Sequence, residues 1–569
     1  MLITQKNSKA IFIILIIVLF FSKKICSQEY ISPIDYTIKL SGTFGELRNN
    51  HFHTGIDLKT GGIEGKKIYS IADGYVSRIK VSTWGYGKAI YITHKTGHTS
   101  VYAHLKNFSN KIERKIKKYH YKKERFEINY YPEKNDLKVQ QGEIIGFSGN
   151  SGSSGGPHIH FEIRDTKTSQ PINPLLVGFD VKDNIAPKIT KLKIYPINNA
   201  NINGINKYNI YKTEKVQNNY FINEIPEISG EFGISISTYD MLNDAPNKNG
   251  IYKITVYVDS VINYKFEADK LDFKTNRYIN AHIDYTERIV NNVKYHRCFK
   301  LKNNKLINYK KLVNKGIISF NDNKTHDIKI EVADIKGNTS YLMFKVKSAS
   351  KKSEFKNIEK SKKFIFYKPN MFKTKDFQIH MEKNSLYENI NFIYSNEKNQ
   401  YDFFGKIHKC HTEKIPVHKK FVLSIKENVP NRLREKVYIA KKINKNYKYL
   451  GGEWKDGFLR TKVREFGDFC IVADTISPII IAKNIFEGKN IKNQNNIIFK
   501  IKDNESGIKK YRGEINGKWI LMEYDFKNNS LIYNIDKVQL TEKNNIKVEV
   551  TDNIGNKTTK QIYFTFWLF

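Results

Sequence analysis

The sequence predicts a mainly β protein of several modules, and three observations carry that expectation. At 569 residues the chain is too long for a single hydrophobic core. Short β-branched and aromatic runs, separated by Gly- and Asn-rich turns, recur along its length. A turn motif and the alternating strand after it occur twice in the C-terminal two thirds, a weak internal repeat. With 27% charged and 40% hydrophobic residues, the composition is that of a folded chain rather than a disordered one. The formal charge of +39 invites a polyanion-binding reading. Lysine, however, is scattered over the whole chain with Asn, Ile and Tyr equally inflated, as compositional drift in an AT-rich genome would leave it. No phosphate loop, nucleophile elbow or nucleic-acid motif is present, so no nucleic-acid partner is expected.

The first element is an address. Lys6 and Lys9 precede an uninterrupted apolar run, Ala10 to Phe21, too short to span a bilayer comfortably but suited to a signal peptide. Residues 1–27 are assigned to it, with cleavage after Ser27 and export to the cell envelope, most simply the periplasm. Lys23 and Lys24 are atypical there, and an uncleaved membrane anchor is the alternative.

Residues 33–183 form the next unit. Lys67-Ile68-Tyr69-Ser70-Ile71, Ala89-Ile90-Tyr91-Ile92 and Thr99-Ser100-Val101-Tyr102 read as strands between glycine turns. One segment differs: Phe108, Ile112, Ile116 and Tyr119 fall at helical spacing, with Ser109 as N-cap and an opposite face dense in Lys and Arg. A helix from Ser109 to about Lys123 is expected, either a solvated surface helix or a wall of a binding groove. A glycine-serine loop, Gly146 to Gly156, then delivers the chain onto Pro157-His158-Ile159-His160-Phe161-Glu162.

In a strand, residues two apart share a face, so His158 and His160 project together while Ile159, Phe161 and Ile163 face a core. Glu162 lies on the histidine face and is placed to orient an imidazole from behind. About a hundred residues earlier stands His53-Thr54-Gly55-Ile56-Asp57, read as an extended strand or strand edge, and between the two clusters lies Tyr102-Ala103-His104-Leu105. His53 and Asp57 with one imidazole of the second cluster make three protein ligands, which leaves a fourth position of a Zn²⁺ open to water. His104 and the other histidine of the pair remain for proton transfer and oxyanion stabilisation. This is the inventory of a metallohydrolase.

The three motifs, in this order, resemble the lysostaphin-type or LytM-type peptidoglycan endopeptidases over about residues 40–180. The flanks Asp73-Gly74-Tyr75-Val76, Gly85-Tyr86-Gly87 and Gly142-Glu143-Ile144-Ile145-Gly146 belong to the resemblance. It implies a β-sheet peptidase domain, zinc held by His53, Asp57 and His160, and His104 and His158 as general base and transition-state partner. It also implies the peptides of peptidoglycan as substrate. The departures are Ile159, where leucine is usual, and the basic helical insert after His104, which puts the groove's shape in question. Non-catalytic relatives act as amidase activators, and an envelope regulator or a wall-binding adhesive protein is the competing reading. All five positions are intact here, which favours an enzyme.

Other residues have simpler readings. His51 is a groove residue, Arg48, Asn49 and Asn50 shape the groove entrance, and His94 and His98 are turn or surface histidines. His408, Cys410, His411 and His418 have a spacing that fits no common metal site.

Beyond residue 183 the texture changes. Asp183-Asn184-Ile185-Ala186-Pro187 opens one module and Asp474-Thr475-Ile476-Ser477-Pro478 another. They close near Ala333-Asp334-Ile335-Lys336-Gly337-Asn338-Thr339 and Thr551-Asp552-Asn553-Ile554-Gly555-Asn556-Lys557, each followed by an alternating strand. Residues 184–350 and 474–569 are therefore expected to be immunoglobulin-like β-sandwiches, with a β-rich unit of unnamed fold at 355–473 between them. These modules are where partners in the envelope would attach. Once Cys26 leaves with the signal segment, Cys298, Cys410 and Cys470 remain, an odd number that cannot be a disulfide framework, although Cys410 and Cys470 share a module and either pair or stand as buried thiols.

Overall fold

Nine strands of the N-terminal region make one antiparallel sheet, and its order explains how distant residues meet. The computed structural model describes residues 30–179, 181–349, 362–398, 404–536 and 540–567; the expected signal segment lies outside them. The strands are β1 (Leu40–Gly42), β2 (Ile56–Lys59), β3 (Lys67–Tyr69), β4 (Gly74–Val81), β5 (Lys88–His94), β6 (His98–Leu105), β7 (Asn107–Phe108), β8 (Ile128–Tyr130), β9 (Lys138–Val139), β10 (Ile144–Phe147), β11 (His158–Asp165) and β12 (Pro171–Ile172). In the main sheet they run β1-β2-β11-β6-β5-β4-β8, with β12 on β11 and β9 on β4; β3, β10 and β7 form a second small sheet. Helix α1 (Asn110–Lys123) interrupts the series. The protein is mainly β, as its turn pattern foretold.

Strand β11 lies in the middle of that sheet, and its alternation is that of a strand with one apolar face. Ile159, Phe161 and Ile163 are fully buried in a hydrophobic core with Tyr102 and Phe179, while the histidines point the other way. Pro157 stands immediately before the strand, where its missing N–H costs no ladder bond.

The same core continues without a break through Ile189, Ile236, Phe266 and Val346, so the first sheet and the strands of residues 188–348 are fused. Those strands form a 14-stranded network built on a 16-residue strand, Glu227–Leu242. Two short helices, Ile279–His282 and Tyr285–Asn291, are inserted in it, a feature the alternating pattern did not announce. Residues 362–473 pack two five-stranded sheets around their own core. Residues 479–565 pack two four-stranded antiparallel sheets around a third core that includes Ile497, Phe499, Val548 and Phe564.

Helix α1 begins at Asn110 after Ser109, but the Ser109 hydroxyl makes no capping bond. Glu113 in the first turn instead reaches back past the cap, its carboxylate accepting the Phe108 N–H at 3.1 Å. Phe108, Ile112, Ile116 and His120 are buried, and Tyr119 packs against the core's edge. The basic outer face is solvent-exposed at Arg114, Lys118 and Lys122, while its C-terminal part meets another module. Lys117 pairs with Asp536 at 2.6 Å, Tyr121 meets Trp519 edge to face at 5.1 Å, and Glu124 pairs with Arg512 at 2.8 Å. The C-terminal module is docked on it. Cys298, Cys410 and Cys470 are separate buried thiols, so the Cys410–Cys470 pairing is not made.

Candidate active site

Three neighbouring strands bring the expected residues together. On β11, His160 stands opposite Asp57 of β2 on one side and Ala103 of β6 on the other. Cross-strand partners share a face, which sets the Asp57 carboxylate beside the His160 ring. His104 follows Ala103 and by simple alternation would point to the opposite face. A bulge prevents that: Lys88 pairs with Leu105 and Ile90 with Tyr102, so Ala103 and His104 together oppose Ala89. His104 has φ +62°, a left-handed conformation that costs a non-glycine residue energy and re-aims its ring toward His158, 4.8 Å away between centroids.

The first motif departs from the extended strand expected. Only Ile56–Lys59 is strand; His53 precedes it in irregular chain that bends at Gly55. A β-carbon on Gly55 would lie 2.3 Å from the Phe161 carbonyl oxygen, so the bend admits only glycine. The following module braces this segment. The Asn276 side chain accepts the Phe52 N–H at 2.7 Å and donates to the Phe52 carbonyl at 3.2 Å, and the Gly250 N–H donates to the Thr43 hydroxyl at 3.0 Å.

Each ring is fixed by its outer nitrogen. His53 Nδ1 meets the Thr43 carbonyl at 2.8 Å, His104 Nδ1 the Ser151 carbonyl at 2.9 Å, and His158 Nδ1 the Gly156 carbonyl at 2.8 Å. A carbonyl only accepts, so these three nitrogens carry the proton and each Nε2 faces the site as a lone pair. His160 is reversed: its Nε2–H donates to Glu162 Oε1 at 2.8 Å, which turns Nδ1 inward. His53 Nε2, His160 Nδ1 and Asp57 Oδ1 then lie 2.9–3.0 Å from one another. His158 Nε2 is 3.6 Å from the same Asp57 oxygen.

Three acceptor atoms this close require a cation between them. With only protons present, His160 is pushed up to about 9; burial opposes this, but the hydrogen bonds to Asp57 and Glu162 prevail. Burial would also raise the Asp57 carboxyl, yet the three imidazoles hold it well below the usual carboxylate range. A divalent ion in the proton's place satisfies all three atoms at once, and two nitrogens with one carboxylate are a suitable donor set for it. The outer Asp57 oxygen is already engaged by Arg48 at 2.9 Å, and Arg48 is anchored by Glu46 at 2.7 Å. A β-carbon on Gly42 would lie 2.5 Å from both partners of the Arg48–Asp57 contact, so a side chain there would displace the pair. His104, by contrast, is pushed down to about 3, first by burial and then by His160 and His158, and stays neutral.

Glu162 is fully buried and held below the ordinary range despite that burial, chiefly by Arg164 with His160 adding to it. Arg164 bonds its other oxygen at 2.6 Å, Thr54 donates to Oε1 at 2.5 Å, and the Tyr86 hydroxyl makes a short bond to the same oxygen. Tyr86 also stacks on His160 at 5.2 Å. In the sequence Tyr86 is marked only as the centre of the Gly85-Tyr86-Gly87 flank, and Arg164 only by the strand face it shares with Glu162 through the period of two. Ser154, at 3.1 Å from His158 Nδ1, was legible only as part of a glycine-serine loop.

Other modules reach the surroundings of the site from two sides. Arg288 of the inserted helix donates to the Arg48 carbonyl at 3.3 Å and Asn280 to the Asn50 side chain at 2.9 Å. From the C-terminal module, the Phe526 ring lies 3.7 Å from that of Trp84, and Lys527 donates to the Ser154 carbonyl at 3.0 Å and closely to that of Asn150. Lys527 thus holds, from outside, the loop that orients His104 and His158. Nothing in sequence links residue 527 to residue 154.

Among the described residues the remaining histidines add no donor to this cluster. His51 is exposed and bonds the Asn49 carbonyl at 2.8 Å. His94 is buried, not a surface histidine, with bonds to the Asp73 carbonyl and Ser100, because the end of β5 packs beneath the Asp73 turn. Among the described residues His408, Cys410, His411 and His418 form no metal cluster.

Residues 51–120 and 128–174 match the model of peptidase family M23, and residues 361–474 match that of a Zu5-like domain. The gap in the first match falls at the end of α1. A DD-carboxypeptidase/endopeptidase, Mpg, of Neisseria meningitidis serogroup B is 35% identical over 153 residues, 26% of this chain and 29% of that protein. An uncharacterised metalloprotease of Haemophilus influenzae is 28% identical over 151 residues, 26% of each chain. The chain therefore spans less than a third of the length of the curated relatives it matches. Among solved structures, the catalytic domain of the prophage-encoded M23 protein EnpA of Enterococcus faecalis is 25% identical with a TM-score of 0.18, over 24% of this chain and 88% of that one. The catalytic domain of lysostaphin from Staphylococcus simulans is 21% identical with a TM-score of 0.19, over 24% and 90%. Over residues 51–120 and 128–174, then, this chain is similar to peptidase family M23, and the histidine site lies within that stretch.

Proposed function

We propose that the protein is an exported, zinc-dependent endopeptidase that hydrolyses peptide bonds in peptidoglycan cross-links. The observation that carries the reading is the convergence of His53 Nε2, His160 Nδ1 and Asp57 Oδ1 within 3.0 Å, with the Nε2 atoms of His104 and His158 beside them. Zinc bound there would supply a Lewis acid for the peptide carbonyl and bring its water's pKa down to roughly 7. The chain's own groups do the rest. His104 Nε2 and His158 Nε2 are lone pairs held by carbonyl acceptors behind them, so either takes a proton from the attacking water without turning. The protonated ring then donates to the oxyanion or the leaving amine. Glu162 and Arg48 keep His160 and Asp57 from rotating away, and the braced segment 43–53 does the same for His53.

Peptidoglycan as substrate and export to the envelope rest on the resemblance and on the apolar N-terminal segment. The complete donor set argues against a non-catalytic regulator, which has no use for it. Purified protein is expected to carry about one zinc per chain and to release cross-link fragments from sacculi. His160→Ala should do neither. Undiminished hydrolysis by that variant, or zinc-loaded protein inert on every cross-linked sacculus, would end the proposal.

A further inference from the structure

The repeated turn motifs form two further constellations with no part in the histidine site. Asp183 and Asp474 open their modules alike, each accepting at Oδ1 the N–H of the isoleucine two residues on at 3.0 Å. Asp334 and Asp552 close them alike, each accepting at Oδ1 the N–H of the asparagine four residues on, at 2.9 and 2.8 Å. Those asparagines, Asn338 and Asn556, reach back to the carbonyls of Asp183 and Asp474 at 3.3 and 3.1 Å. A third aspartate comes from a strand end: Asp240 late in Glu227–Leu242, and Asp503 directly after Asn496–Lys502. In each module the three carboxylates offer oxygens within 4.8 Å of one another.

An acidic cluster alone proves nothing, and the decisive observation is what these oxygens lack. Asp240 is 3% exposed and Asp552 fully buried, yet Oδ1 of the first and Oδ2 of the second have no hydrogen-bond partner among the described residues. Buried carboxylate oxygens are normally satisfied, because an unpaired one loses its hydration for nothing. Among the described residues no Lys or Arg lies within ion-pair distance of any of the six aspartates; Lys336 acts on Asp183 only from further away, so the like charges gathered at each site are at most partly offset.

We propose that each triad binds one calcium ion, Asp183, Asp240 and Asp334 at the start of the first module and Asp474, Asp503 and Asp552 at the start of the last. The donors are all oxygens, which selects a hard cation and not the ion suited to the histidine site. Magnesium keeps several waters and strict octahedral geometry, whereas four of the six aspartates are at most 4% exposed, leaving little room for a hydrated ion. The second site is also a joint. The Asp474 N–H donates to the Lys436 carbonyl at 2.8 Å, Lys436 bonds the Asn556 side chain, and Ile554 packs on Ile407, Tyr438 and Cys470 of the preceding domain. Calcium there ties the last module to its neighbour, and so steadies the hairpin whose Lys527 rests on the glycine-serine loop.

The test uses the full chain and does not read hydrolysis, so its outcome is independent of the peptidase assignment. Metal-free protein is titrated with calcium or magnesium by calorimetry, and melted with and without millimolar amounts of each. Wild type should bind about two calcium ions and melt several degrees higher with calcium than with magnesium. Asp240→Asn should lose one ion and Asp552→Asn the other, and the double variant both, together with the calcium shift. Each asparagine variant should melt no lower than wild type when calcium is absent, because a repulsive charge has gone. Wild type that binds no calcium, a double variant that binds as much as wild type, or an equal response to magnesium would overturn the proposal.

Discussion

The histidine site and the aspartate triads satisfy the same criterion and yet differ in nearly every respect. Both gather acceptor atoms that lack enough protons or donors to balance them. At the histidine site every outer atom is held, by Thr43, Ser151, Gly156, Glu162 and Arg48, and the carriers include adjacent strands in fixed register. At the triads the carriers are a linker, a strand end and a turn, and buried oxygens are left without a partner. Nitrogen donors suit a borderline cation that does chemistry, and oxygen donors suit a hard cation that holds loops together. The difference teaches that donor type and rigidity of support, more than proximity of acidic groups, separate a reactive site from a structural one.

The largest effect should come from stripping all metals and returning them one at a time. Zinc alone is expected to restore hydrolysis with little gain in melting temperature, and calcium alone the reverse. If calcium restored hydrolysis as well as zinc does, the contrast would collapse.

Next in size are His104→Ala and His158→Ala, each expected to lower kcat by about 10²–10⁴-fold while zinc content by atomic absorption stays near that of wild type. Loss of zinc in either would move that histidine from proton transfer to metal binding.

Glu162→Gln sharpens the role of the supporting atoms. It weakens the orientation of His160 and should cost roughly 10–100-fold in zinc affinity or activity. It also leaves the Arg164 guanidinium, now partly buried against a neutral group, without its charge partner, at a stability cost on the order of 3–5 kcal/mol in chemical denaturation. Asp552→Asn, tested beside it, should change neither zinc affinity nor kcat beyond a few-fold.

Smallest is Lys527→Ala. Removing an exposed cation from the Asn150 and Ser154 carbonyls should cost less than about 1 kcal/mol and lower kcat only a few-fold, with zinc content unchanged. An increase in kcat would mean that the C-terminal hairpin obstructs the groove instead of steadying its loop.

The legible parts of the molecule were those governed by local periodicity. The two-residue period of β11 sorted His158, His160 and Glu162 from Ile159, Phe161 and Ile163, and the helical period of Phe108, Ile112 and Ile116 located α1 within a residue. The bulge that turns His104 inward was not legible, since it depends on how β5 and β6 pair. The partner of α1's basic face was hidden for a similar reason, lying some four hundred residues further along the chain.

By itself, then, the sequence determined the mainly β class, the order of the three motifs and the residue types available to a metal, because these follow from side-chain chemistry and spacing. Only the tertiary structure decided that His53, Asp57 and His160 meet within 3.0 Å, that carbonyls lock three of the imidazoles and a carboxylate the fourth, and that distant modules brace the site's surroundings. Strand register and the docking of one module on another are long-range choices. No window of sequence contains both partners.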